Sequence, residues 1–206
     1  MKLIFAPPSP NDLIRLLKAW RFWLLGALIG ALMGAAVFYI APPPYRARAT
    51  VNIDFHLEQA WPQNTDREQF YYLERETRKL EEIAMSDSVL NSVTGQVGGV
   101  TVQQLRGQNL HLSQPGNGGW HFFADDRDPQ RASTLASVWA QAFAQDVQAQ
   151  VANPSSGLEQ YITATPTQTQ GLTAHRSVSL SIYLLAGAIV ILALLVLVIL
   201  FFDFKV

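Results

Sequence analysis

The chain has 206 residues and no cysteine. A disulfide framework and a cysteine-ligated zinc site are therefore excluded. Charge is also scarce: charged residues are 15% of the sequence, against about a quarter in an average soluble domain. The formal net charge of -1 excludes a nucleic-acid binder held by bulk positive charge. The missing charge is concentrated in two blocks. No Asp, Glu, Lys, Arg or His occurs from Phe22 to Pro44, nor from Ser177 to Phe202. Each block exceeds the roughly 20 residues that cross a hydrocarbon core about 30 Å thick. The expectation is a membrane protein rather than a soluble globular one.

The first block contains a span at 22–41, read from the run Phe22 to Ile40. Trp20 and Trp23 stand at its start, and Tyr39 and Tyr45 near its end, where amphipathic rings favour the headgroup level. Lys2, Arg15, Lys18 and Arg21 precede it against a single acid, Asp12. Such a Lys/Arg excess keeps 1–21 in the cytoplasm. The second span, Ile182 to Phe202, falls within 177–202 and leaves 203–206 beyond it. With two spans, both termini are expected in the cytoplasm and 42–176 outside it. A cleaved signal peptide is the competing reading, but its apolar stretch would be about 7–15 residues, shorter than this one.

Gly26, Gly30 and Gly34 recur every fourth residue along the first span. On a helix they line one side and let a neighbouring backbone approach. The partner is open: the second span, another copy of the chain, or a different protein. The alternative is that Gly is simply frequent in spans.

Between the spans, Tyr45 to Leu57 alternates apolar and polar residues, the period of a strand with one buried face. Pro42-Pro43-Pro44 ahead of it makes a stiff lead-in. Thr65-Asp66-Arg67-Glu68 has capping-box spacing and opens a helix with a stripe of Phe70, Leu73, Thr77, Leu80 and Ala84. Glu74–Arg78 and Arg78–Glu82 can pair on its solvent side. A second helix runs from Asp87 to Val97 and stops at Gly98-Gly99. Asn109–Gln114 and Trp120–Ala124 flank a Pro/Gly/Asn turn, as in a β-hairpin. Asp128 as cap and Pro129 at the first helical position open a third helix. Its predicted core side is Ala132, Leu135, Ala136, Trp139, Ala142, Phe143 and Val147. Leu158–Thr165 is read as a last strand, followed by a Thr/Gln-rich tether. The predicted class is α+β: a small mixed sheet with helices packed on one face.

This order resembles the polysaccharide co-polymerases, the Wzz-type chain-length determinant proteins. The likeness rests on a first span leading into Pro44-Tyr45-Arg46-Ala47-Arg48-Ala49-Thr50, and on Asp128-Pro129-Gln130-Arg131-Ala132 opening an Ala-rich helix. A second span near the C-terminus completes it. The resemblance implies a non-catalytic homo-oligomer in the bacterial inner membrane. Its partners would be itself, the bilayer, and a polysaccharide polymerase or the growing polysaccharide. Such proteins set the length of O-antigen, capsule or exopolysaccharide chains. No phosphate-binding loop GxxxxGK[ST] occurs, so no kinase domain is attached. About ten residues separate Val147 from Leu158, where long members extend a helical hairpin, so the likeness is to a minimal version. Two other functions are weighed: an accessory two-span subunit of another membrane complex, and a modulator of a separate cytoplasmic tyrosine kinase.

Candidate chemistry is sparse. His56, His111, His121 and His175 are the acid–base candidates. His111 and His121 fall on the two hairpin strands, where they can face one another, but no HxH, HxxxH or HExxH spacing accompanies them. Asp125-Asp126-Arg127-Asp128 has oxygen donors for a hard cation, although a polar turn ending in a helix cap accounts for it more simply. The outer segment carries ten basic and fourteen acidic residues, so no polyanion groove is evident. Arg46 and Arg48 share the polar side of the first strand, free for lipid phosphate, an acidic sugar, a neighbour's carboxylate or water. No GxSxG elbow occurs. No cofactor and no catalytic residue is assigned.

Overall fold

The computed structural model describes residues 18–60, 66–114, 119–153, 155 and 157–201. Thr65, the turn at 115–118 and the segments 1–17 and 202–206 lie outside the described residues, with the expectations that fall on them. The chain divides into two compact units.

The first unit holds two helices, α1 (Trp20–Ile40) and, at the other end of the chain, α7 (Leu180–Phe201). Both are long and apolar enough to cross a membrane. Leu24, Leu28 and Leu32 of α1 and Ile182, Leu185 and Ile189 of α7 are all exposed. Such rows suit lipid rather than water. The two helices run antiparallel, because Gly26 meets Leu195 while Gly34 meets Tyr183.

The second unit, Pro44–Ser177, is α+β. In chain order it contains β1 (Tyr45–Asp54), α2 (Leu57–Ala60), α3 (Asp66–Ala84), α4 (Asp87–Val97), α5 (Val102–Gln104), a π-helical turn (Leu105–Asn109), β2 (Leu110–Ser113), β3 (Gly119–Asp126), α6 (Pro129–Val151), β4 (Thr163–Gln168) and β5 (His175–Arg176). The sheet order is β2-β3-β1-β4, with β5 also paired to β1. Every ladder is antiparallel, so the expected mixed sheet is corrected. The crossover from β3 through α6 to β4 skips one position, and β1 fills it running the opposite way.

Alternation in β1 holds as read: Ala47, Ala49, Val51 and Ile53 are buried beneath α6, whose predicted core side is buried throughout. Small alanines in the strand leave room for large rings. Phe122 packs edge-on to Trp139 with centroids 4.7 Å apart, and Phe143 lies 5.1 Å from Phe122. Trp139 donates its indole N–H to the Ala84 carbonyl at 2.8 Å, tying α3 to α6 while satisfying a buried donor. Ser88 Oγ donates to Asp146 at 3.0 Å, holding α4 to the same helix.

Several boundaries differ from the sequence reading. β1 stops at Asp54 rather than Leu57, because the Asp54 carboxylate accepts from the His56 amide at 2.9 Å and His56 takes a φ of 42°. This local Asx bond outcompetes the ladder. The strand expected at Leu158–Thr165 lies instead at Thr163–Gln168, and the short β5 follows it. Leu158 and Ile162 turn inward as core residues ahead of β4. Pro166 is tolerated because β4 is an edge strand.

α3 corrects the reading most. Its buried side is Tyr72, Glu76, Leu80, Ile83 and Ala84, while Phe70 is exposed and Leu73 and Thr77 are half-buried. The true stripe runs through a glutamate, and a pattern search for apolar residues steps around it. The predicted Glu74–Arg78 pair is present at 3.4 Å.

Candidate functional site

The sheet face turned away from α6 carries the polar half of each strand. Register places Arg46 opposite Asp125, Arg48 opposite Phe123, and Thr50 opposite His121. On the neighbouring strand His111 stands opposite Phe123 and Ser113 opposite His121. His175 lies across from Arg46 on β5. His111 and His121 therefore sit in successive rows and do not face one another, which corrects the sequence reading.

Arg46 grips Asp125 through two hydrogen bonds, Nε to Oδ1 at 2.7 Å and Nη2 to Oδ2 at 2.6 Å. Bidentate geometry of this kind is strong and directional. The carboxylate is 9% exposed and the guanidinium 39%, so Asp125 is the member that depends on the pair. Its hydrogen bonds raise the Arg46 pKa above the ordinary value. Asn109 Nδ2 donates to the Asp125 carbonyl at 3.0 Å, and the Arg46 guanidinium stands 5.8 Å over the Phe123 ring. Of the occupants weighed for the two arginines, Arg46 is thus taken by a carboxylate of its own chain. Arg48 is exposed and makes no ion pair among the described residues. It helps depress the His121 pKa, behind the larger effect of burial. His121 Nδ1 lies 3.3 Å from Thr50 Oγ1.

Asp125–Asp128 resolves into separate duties. Asp125 pairs with Arg46. Asp126 Oδ1 accepts from the Asp128 amide, and Asp128 Oδ1 caps α6 by accepting from the Gln130 amide, both at 2.9 Å. Pro129 follows at the first helical position. The run is an ion pair, a turn and a cap.

Pro44 and Tyr45 sit at the base of β1. The Ser177 amide donates to the Pro44 carbonyl at 2.9 Å, and the Arg176 guanidinium lies 3.9 Å from the Tyr45 ring centroid, a cation–π contact. Sequence reading missed this clamp because β5 is too short to give a period.

Gly26, Gly30 and Gly34 are the buried residues of α1. A Cβ on Gly30 would stand 2.7 Å from Ala188 Cα and 2.8 Å from Gly187 C, and one on Gly34 2.8 Å from Tyr183 C. The obstacle is backbone, so the seam needs glycine. Among the partners left open, this row packs against the chain's own second helix. Gly187, not singled out in the sequence, completes the seam opposite Gly30 and Gly34.

A buried glutamate was also missed. Glu76 is fully buried, with Oε1 accepting from Arg75 Nε and Lys79 Nζ, both at 2.8 Å. Oε2 has no hydrogen-bond partner among the described residues. Burial, then the charges of Glu76 and Glu159, push the Tyr72 phenol up to about 12. The phenol therefore stays protonated at any physiological pH. No family model matches this chain, and no curated protein matches it.

Proposed function

We propose that this protein is a non-catalytic two-span scaffold of surface polysaccharide assembly in a bacterial inner membrane, working as a homo-oligomer. Lys18 and Arg21 flank the cytoplasmic end of α1 and leave the α+β unit outside. The scaffold positions a growing polymer or its polymerase by repeating one domain around an assembly. The observation that carries the reading is a self-sealed helix pair bracketing a single α+β domain. Because the glycine row is spent within the chain, copies associate through the outer domain and the lipid-facing rows. Supporting this, the polar sheet face offers Arg48 without an ion-pair partner among the described residues, and Phe123 beside it. The resemblance in the order of span, Pro-led strand, Asp-Pro helix and span supplies the polysaccharide class.

Particle size in mild detergent tests the proposal: a defined homo-oligomer is expected. A strictly monomeric particle, or one that co-purifies at fixed stoichiometry with unrelated subunits, overturns it. The second outcome is what an accessory subunit would give.

A further inference from the structure

A groove of about 680 Å3 lies between the first turns of α6 and the strap that follows β4. That volume falls inside the roughly 300–1,000 Å3 typical of ligand clefts. Its lining holds no charged side chain. The wall is made of hydroxyls and amides, and the floor of Leu172 and Ala174, both packed on the core.

The hydrogen-bonding capacity of this wall is only partly used. Ser133 Oγ lies 2.9 Å from the Pro129 carbonyl and 3.1 Å from the Leu172 carbonyl. A hydroxyl has one proton, so Ser133 serves only one of the two carbonyls at a time. Ser137 Oγ accepts from Gln141 and keeps its own proton to give. The side chains of Gln130, Thr169 and Gln170 make no hydrogen bond among the described residues. The groove is also preformed. Pro129 fixes one rim, Gly171 at φ +63° turns the strap tightly, and Ser133 ties strap to helix.

We propose that this groove binds a segment of neutral, hydroxyl-rich sugar polymer. A pyranose presents an apolar C–H face and a rim of groups that both donate and accept, which matches an apolar floor ringed by amides and hydroxyls. An anionic sugar would enter without a cation to meet it. An extended peptide would add to a sheet edge, and the adjoining edge β4 is interrupted by Pro166, which has no N–H to donate. The inference rests on the polysaccharide reading above and names the polymer's chemical class.

The test uses the full-length chain in nanodiscs, with maltohexaose, cellohexaose and mannohexaose as neutral probes and hexagalacturonate as the anionic one. At least one neutral probe is expected to bind, with magnetisation transfer or shift changes confined to 129–137 and 169–174. Gln130→Ala combined with Gln170→Ala, checked for an unchanged melting curve, is expected to weaken binding about tenfold, as two lost hydrogen bonds would. Glu58→Ala, at an exposed position that does not line the groove, is expected to leave it unchanged. No binding by any neutral probe, preference for hexagalacturonate, or equal affinity in the double variant overturns the proposal. Particle size separates the two readings. An oligomer that binds no sugar defeats the groove alone, and a monomer that binds sugar defeats the scaffold alone.

Discussion

Arg46 and Asp125 are unequal partners, and mutation should expose the asymmetry. Arg46→Met leaves a carboxylate that is 9% exposed with only the His111 imidazole, Nε2 at 3.5 Å, beside it. The expected cost is about 2 kcal/mol, below the ~3–5 kcal/mol of a wholly buried pair because the arginine head is part-hydrated. Asp125→Asn leaves only a guanidinium that water can reach, and about 1 kcal/mol is expected. Denaturant unfolding checks the order; a costlier Asp125→Asn would contradict it. His121 gives a second residue-scale test. Its folded pKa lies below 6.5, because of burial and then Arg48. Well above 6.5 the side chain is neutral in folded and unfolded chains alike and contributes nothing. As pH falls below that value the unfolded chain takes up the proton first, so stability drops until the folded pKa is passed. The groups facing it, Arg48, Thr50, Ser113 and Phe123, offer no acid to reverse the sign. His121→Gln is expected to flatten this limb, read as the wild-type-minus-variant melting difference between neutral pH and about pH 5. A constant difference would refute it.

At the scale of elements, the glycine seam makes the sharpest demand. Gly30→Leu forces a side chain into the Gly187–Ala188 backbone. The expected loss is at the upper end of the ~1–3 kcal/mol range for overpacking, seen as a lower melting temperature in detergent. Gly107→Leu, at a glycine with open space around it, serves as the comparison. Equal behaviour of the two would remove the seam from the account. Legibility also divides by element. α6 could be read almost residue by residue, because cap, proline and apolar period agree. The glycine row could be read as a contact but not as to its partner, since spacing on one helix says nothing of what lies across it. α3 was misread because Glu76 occupies a core position: the physics that made it improbable, a carboxylate without water, is met by Arg75 and Lys79 from its own helix. The polar sheet face was readable as a face. Its Arg46–Asp125 pair was not, because register across 79 residues depends on turns that a single sequence does not fix. The sugar groove had no sequence signal, since its walls come from a helix start and a strap without periodicity.

For the whole molecule, the segment Pro44–Ser177 has its own sheet, core and helices, which makes it a folding unit. Expressed without the two helices, it is expected to give a mixed α and β circular dichroism spectrum and one cooperative unfolding transition. A non-cooperative melt would show that the helices are needed to complete it. The clamp at the base of β1 bears on this as well. Because Ser177 is bonded to Pro44 and Arg176 lies on Tyr45, the thread enters and leaves the domain at one knot. Such a unit is a cassette: a short turn spliced in its place need bridge only neighbouring atoms, and the excised piece can be set into another helical hairpin without having its ends drawn together first.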